Sequence, residues 1–142
     1  MYPPEVDAAP GRYATRPSML IGDVWLSVQA GTYYHSSPAV NGKPLSSYKS
    51  VDVAILDART GSPVKPRDLG IPWLPSYDWD TQDFAGYVTH EEVRTLMRFL
   101  VTRATNRAKQ RLDADPKGAA EELAELEIAR RAMDVCGGQD EK

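Results

Sequence analysis

His35 is the residue best placed by type to do chemistry, because it lies in Tyr33-Tyr34-His35-Ser36-Ser37, among four hydroxyls. An imidazole beside hydroxyls is the raw material of general acid–base or nucleophilic catalysis. No Gly-x-Ser-x-Gly elbow accompanies it, and no motif fixes a base or an oxyanion donor. The same string also fits a loop histidine that hydrogen-bonds its own turn. His90, the second histidine, falls at the first helical position after a cap and is expected to be solvated. No residue is therefore assigned a catalytic role.

Asp78, Asp80 and Asp83 alternate like the opening of a calcium loop. Such a loop needs a third oxygen ligand, then a glycine, and a glutamate at its twelfth position. Gln82, Asp83 and Thr89 stand there instead, so no metal site is assigned. Walker, dinucleotide and zinc signatures are absent from the sequence, and no cofactor is implied.

The aspartates belong to Pro72–Tyr87, a segment with two Trp, two Tyr and a Phe but no hydrophobic period. Trp and Tyr bring large, rigid contact area and dominate binding hot spots. Trp73 and Phe84 are expected to cap the sheet. Tyr77, Asp78, Trp79, Asp80, Asp83 and Tyr87 form the candidate partner-binding surface.

The string Trp73-Leu74-Pro75-Ser76, followed by Asp80 and Asp83-Phe84, is similar over about a dozen residues to the Trp-x-Pro-Ser…Asp…Asp-Trp ending of a small phage family that sequesters nucleotide signals. Its spacing differs by one residue, and that family's leading helix is missing, so membership is not inferred. A nucleotide ligand is what the resemblance implies.

Several elements must hold these residues. Residues 1–18 carry Pro3, Pro4, Pro10 and Pro17 and predict an extended arm. Val24, Leu26 and Val28 alternate with Trp25, Ser27 and Gln29, so Met19–Gln29 predicts a strand, with Gly22 marking a bulge or bend. Tyr33-Tyr34 is a candidate short strand, and Asn41-Gly42 a tight turn. Val51–Leu56 is the clearest strand, with Val51, Val53 and Ile55 on one face. Asp57–Gly61 reads as a turn and Ser62–Val64 as a returning edge.

Residues 89–112 predict a helix opened by the Thr89-x-x-Glu92 capping box and a Val88/Val93 staple. Asp115-Pro116 opens a second helix, ending near Cys136 at Gly137-Gly138. The short connection makes them an antiparallel hairpin. The sequence thus predicts an α+β fold: a small, mostly antiparallel sheet over residues 19–66 packed on a C-terminal helical hairpin. The single domain spans residues 19–136, with an irregular segment at 67–88 and a flexible tail at 137–142.

The first helix turns basic toward its end, where Arg103, Arg107 and Arg111 share a stripe. In a hairpin these meet Glu121, Glu122 and Glu125; left unpaired, they would suit phosphates or an acidic protein surface. The second helix has only a thin apolar stripe, which leaves room for a homo-oligomer through residues 89–136.

A net charge of −3 supplies no field to attract nucleic acid. Cys136 is the only cysteine, which excludes an internal disulfide and a thiolate metal cage. No apolar run is long enough to span a bilayer. Met1–Asp7 lacks the features of a signal peptide, so a cytoplasmic protein is expected.

The leading functional expectation is a non-enzymatic interaction protein that regulates or inhibits a protein partner by binding. A phage or mobile-element accessory protein that blocks a host defence such as CRISPR-Cas is its narrower form. A small-ligand or nucleotide-signal binder using residues 73–87 is the alternative. A small hydrolase built around His35 is the third reading.

Overall fold

The computed structural model describes residues 1–11, 14–72 and 83–140, with backbone alone for the last seven of these. The fold is α+β, with a small antiparallel sheet and a C-terminal helix pair. The chain divides into two compact units, Tyr2–Val93 and Arg94 onward. Each is described on its own terms.

The first unit opens with a single helical turn, α1 (Pro4–Asp7), inside the segment expected to be extended. Pro4 sits at the first helical position, where a missing N–H costs nothing. Val6 is buried, and the Asp7 carboxylate accepts from Ser46 N–H at 2.8 Å, so this end of the arm is fastened.

The sheet is built on β3 (Ser50–Asp57). The expected Met19–Gln29 strand is instead a hairpin of β1 (Met19–Ile21) and β2 (Val24–Gln29). Gly22 adopts φ +67° and opens the two-residue turn, a backbone region glycine enters without penalty. β2 pairs with β3 over six consecutive positions, from Val24↔Asp57 to Gln29↔Asp52. Val24, Leu26, Val28, Val51, Val53 and Ile55 are all buried, as their alternation requires.

The other edge of β3 is shared. Its end pairs with β4 (Pro63–Val64), and its start with β5 (Ala85–Thr89). The turn before β4 is held by the Asp57 carboxylate, which accepts from Arg59 and Thr60 N–H at 2.8 and 3.0 Å. The sheet therefore extends past the expected residue 66 to include β5. Tyr33-Tyr34 forms no strand; it lies in a turn closed by Tyr34 N–H donating to the Gly31 carbonyl.

α2 (His90–Gln110) begins where the capping box places it. The Thr89 hydroxyl accepts from Glu92 N–H at 3.2 Å, and the Glu92 carboxylate accepts from Thr89 N–H at 3.3 Å. In the second unit, α2 is followed by α3 (Pro116–Asp140), whose Asp115 carboxylate caps Gly118 N–H at 3.2 Å. α3 does not stop at Gly137-Gly138; its backbone continues helical through both. Glycine weakens a helix without breaking it, unlike proline. Among the described residues, no helix is long and apolar enough to cross a membrane.

Candidate functional site

The β3–β5 pairing contains a register slip. Val51 pairs with Val88, and Val53 with Ala85, so Gly86 and Tyr87 together stand opposite Asp52 alone. That is a β-bulge, a device that kinks a strand and re-aims a side chain. Tyr87 takes up the distortion at φ +56°, the only non-glycine at positive φ among the described residues. An L-residue in this region costs about 1–2 kcal/mol. The residue is 57% exposed.

The bulge gathers a cluster around His35. Tyr87 N–H donates to the His35 carbonyl at 2.8 Å, tying the β2–β3 loop to β5. The His35 ring stacks on Phe84 at 4.9 Å between centroids, and the Tyr87 ring meets it edge-on at 5.8 Å. Gly86 permits this approach, because a Cβ there would fall 2.4 Å from the His35 Cβ. Asp52 lies against His35. Its Oδ2 accepts from His35 N–H at 3.3 Å and sits 3.6 Å from His35 Nδ1. The His35 side chain is 53% exposed and that of Asp52 only 13%. Burial pushes the Asp52 carboxyl above its usual range, and the contacts from His35 offset this only in part. Tyr34 borders the same region; burial, then the nearby Asp52 charge, raises its phenol, while Arg16 pulls it down.

Arg16 anchors the loop that carries His35. It is buried, and its guanidinium donates to the carbonyls of Ala30 and Lys43. Its backbone N–H and carbonyl are both bonded by the Gln29 side chain, at 2.8 and 2.9 Å. A small recess beside this loop is lined by Tyr33, Tyr34, Asn41 and Gly42 with Pro10 and Gly11 of the arm.

The outer face of the sheet has a second feature. Leu20, Trp25, Leu56 and Pro63 stand directly opposite one another across β1, β2, β3 and β4. Leu20 and Pro63 are exposed, while Trp25 and Leu56 are half-buried.

The sequence-derived candidates fare unevenly. Tyr77, Asp78, Trp79 and Asp80 lie outside the described residues, as do Trp73 and the rest of the string that carries the phage-family resemblance. Asp83 is exposed and Tyr87 joins the cluster. Phe84, expected to cap the sheet, is half-buried and stacks on His35. His35 does not serve its own turn; its backbone bonds reach Asp52 and Tyr87. His90 is not solvated. Its Nε2–H donates to the Tyr48 carbonyl at 2.6 Å, which leaves Nδ1 to accept from the Tyr2 hydroxyl at 2.7 Å. It is a structural fastener for the arm.

In the second unit, Arg111 of the basic stripe pairs with Glu122 at 2.7 Å, joining the end of α2 to α3. Arg103 and Arg107 are likewise engaged in polar or electrostatic contacts. Among the described residues, no three His, Cys, Asp or Glu side chains gather as a metal site.

Asp52 is the member of the cluster that sequence reading missed. The available signal was a carboxylate in the alternation of an otherwise apolar strand. Comparison with family models, curated proteins and solved structures finds no match to this chain.

Proposed function

We propose that this chain is a non-enzymatic interaction protein that regulates or inhibits a protein partner by binding. The carrying observation is Tyr87: a bulge and a positive φ occur at an aromatic residue that is largely exposed. Strain of this kind persists where the surrounding structure over-determines it, and it concentrates at functional sites. Phe84 and His35 extend the surface, and the Leu20–Pro63 row offers apolar area nearby on the same unit. The segment 73–82, rich in Trp, Tyr and Asp, runs directly into the cluster in sequence.

The test is capture with the tagged full chain, followed by purification of the captured protein and measurement of its Kd. Tyr87→Gly should weaken that Kd at least tenfold, as expected for an aromatic hot spot. An unchanged Kd would contradict the assignment of the surface. The narrower reading, an accessory protein that blocks a defence such as CRISPR-Cas, is tested by expressing the chain in cells carrying an active system. Undiminished interference against phage would count against it.

A second reading, a small hydrolase, has one observation in its favour. Asp52 reaches both Nδ1 and the backbone N–H of His35, the arrangement that orients a general base. His35-dependent turnover of activated esters or phosphodiesters would support it. Equal rates for wild type and His35→Ala would remove it.

The ligand-binding alternative rests on residues 73–87 and is checked by nucleotide titration against Trp fluorescence. A homo-oligomer through the helices is favoured by Ile128, 69% exposed on α3. Light scattering on the wild type and Ile128→Glu decides it.

A further inference from the structure

We propose that the His35–Phe84–Tyr87 surface, backed by Asp52, is a subsite for a cationic side chain of the partner, arginine above all. This rests on the interaction reading and specifies the partner's chemistry.

Three kinds of occupant can be compared. An anionic group would meet the Asp52 carboxylate that lies against His35, and the cluster itself holds no Lys or Arg. A purely apolar group would cover the rings but strip the last water from Asp52, whose side chain keeps only 13% of its exposure. Burying a carboxylate without compensation is costly. A cation removes that cost and gains from the ring faces at the same time. Guanidinium suits the site better than ammonium, because it is planar, stacks on aromatic faces and forks onto a carboxylate.

Among the described residues, the Asp52 carboxylate is met by His35 alone, at 3.3 Å from its N–H and 3.6 Å from Nδ1. Both are long for charge-assisted bonds, which run about 2.7–2.9 Å. Acceptor capacity therefore remains. Its desolvation is already evident in the upward shift of the carboxyl.

The experiment uses the full chain and two short capped peptides, Gly-Arg-Gly and Gly-citrulline-Gly. Citrulline keeps the planar shape and loses the charge. Ring resonances of Tyr87, Phe84 and His35 are followed by NMR. The arginine peptide should shift them saturably, with an affinity roughly tenfold above citrulline. Added salt should narrow that gap, and so should Asp52→Asn, which keeps an acceptor for His35 N–H. Equal affinity for the two peptides overturns the cation and points to an apolar occupant. Shifts confined to other residues, or none at millimolar peptide, overturn the subsite.

The captured partner separates the two levels of inference. Binding that needs Tyr87 but is indifferent to Asp52→Asn and to salt defeats the cation while the interaction reading stands. Binding indifferent to Tyr87→Gly as well defeats both.

Discussion

The two edges of β3 are built differently. Toward β2 the register runs through six unbroken pairs and buries Leu26 opposite Ile55 and Val28 opposite Val53. Toward β5 the ladder slips after Val51, and the released residues carry an exposed aromatic surface. The first edge spends its sequence on stability. The second keeps its ends, Val88 and Ala85, in the core and uses the slip between them to aim Tyr87 outward. A short sheet can hold a binding surface this way without sacrificing its core.

The contrast is broken most forcefully at the regular edge. Leu26 is fully buried, so Leu26→Ala should cost about 2–5 kcal/mol of unfolding free energy, read by denaturant titration. At the bulged edge, Gly86→Ala drives a methyl into His35 and should cost about 1–3 kcal/mol. Its diagnostic is the loss of the His35–Phe84 stacking shift in NMR. If that shift survives, Gly86 does not position His35.

The pH dependence distinguishes the two ends of β3. The Asp52 carboxyl is raised by burial, so its charged form penalises the fold at neutral pH, and the penalty is relieved as pH falls through the raised value. Asp52→Asn should therefore be more stable than wild type at pH 7, and the advantage should shrink in acid. Asp57 is the reverse. Backbone N–H donors from Thr60, then Arg59, hold its carboxyl below the usual range. Its contribution is present above the ordinary carboxylate value and is lost as pH falls through the lowered one. Asp57→Ala should lower Tm at pH 7, and the difference should fade in acid. Tm against pH for both variants checks the signs. The smallest effect belongs to the second unit: Arg111–Glu122 is a solvent-facing pair, and Arg111→Ala should cost ~0–1 kcal/mol, less in high salt.

What could be read in the sequence follows the same division. β2 and β3 alternate strictly, so their faces were legible from Val24–Gln29 and Val51–Leu56. The capping box at Thr89 and the Asp115-Pro116 start were legible because their chemistry is local. β5 was not. Its bulge sets buried Ala85 and Val88 three residues apart, which erases the period of two that marks a strand. The Asp52–His35 contact spans 17 residues, and the Tyr2–His90 bond spans 88. No window of sequence contains such pairs. The turn at Gly22 was visible as a glycine, but a bend and a hairpin share that signal.

Tyr87→Gly tests most directly whether the bulge serves a surface rather than the fold. Glycine relieves about 1–2 kcal/mol of positive-φ strain and loses about 0.5–1.5 kcal/mol from the edge contact with His35. The unfolding free energy should therefore stay within about 1 kcal/mol of wild type while partner binding falls. A loss of about 3 kcal/mol or more, as for truncating a core aromatic, would show that Tyr87 is there to hold the fold.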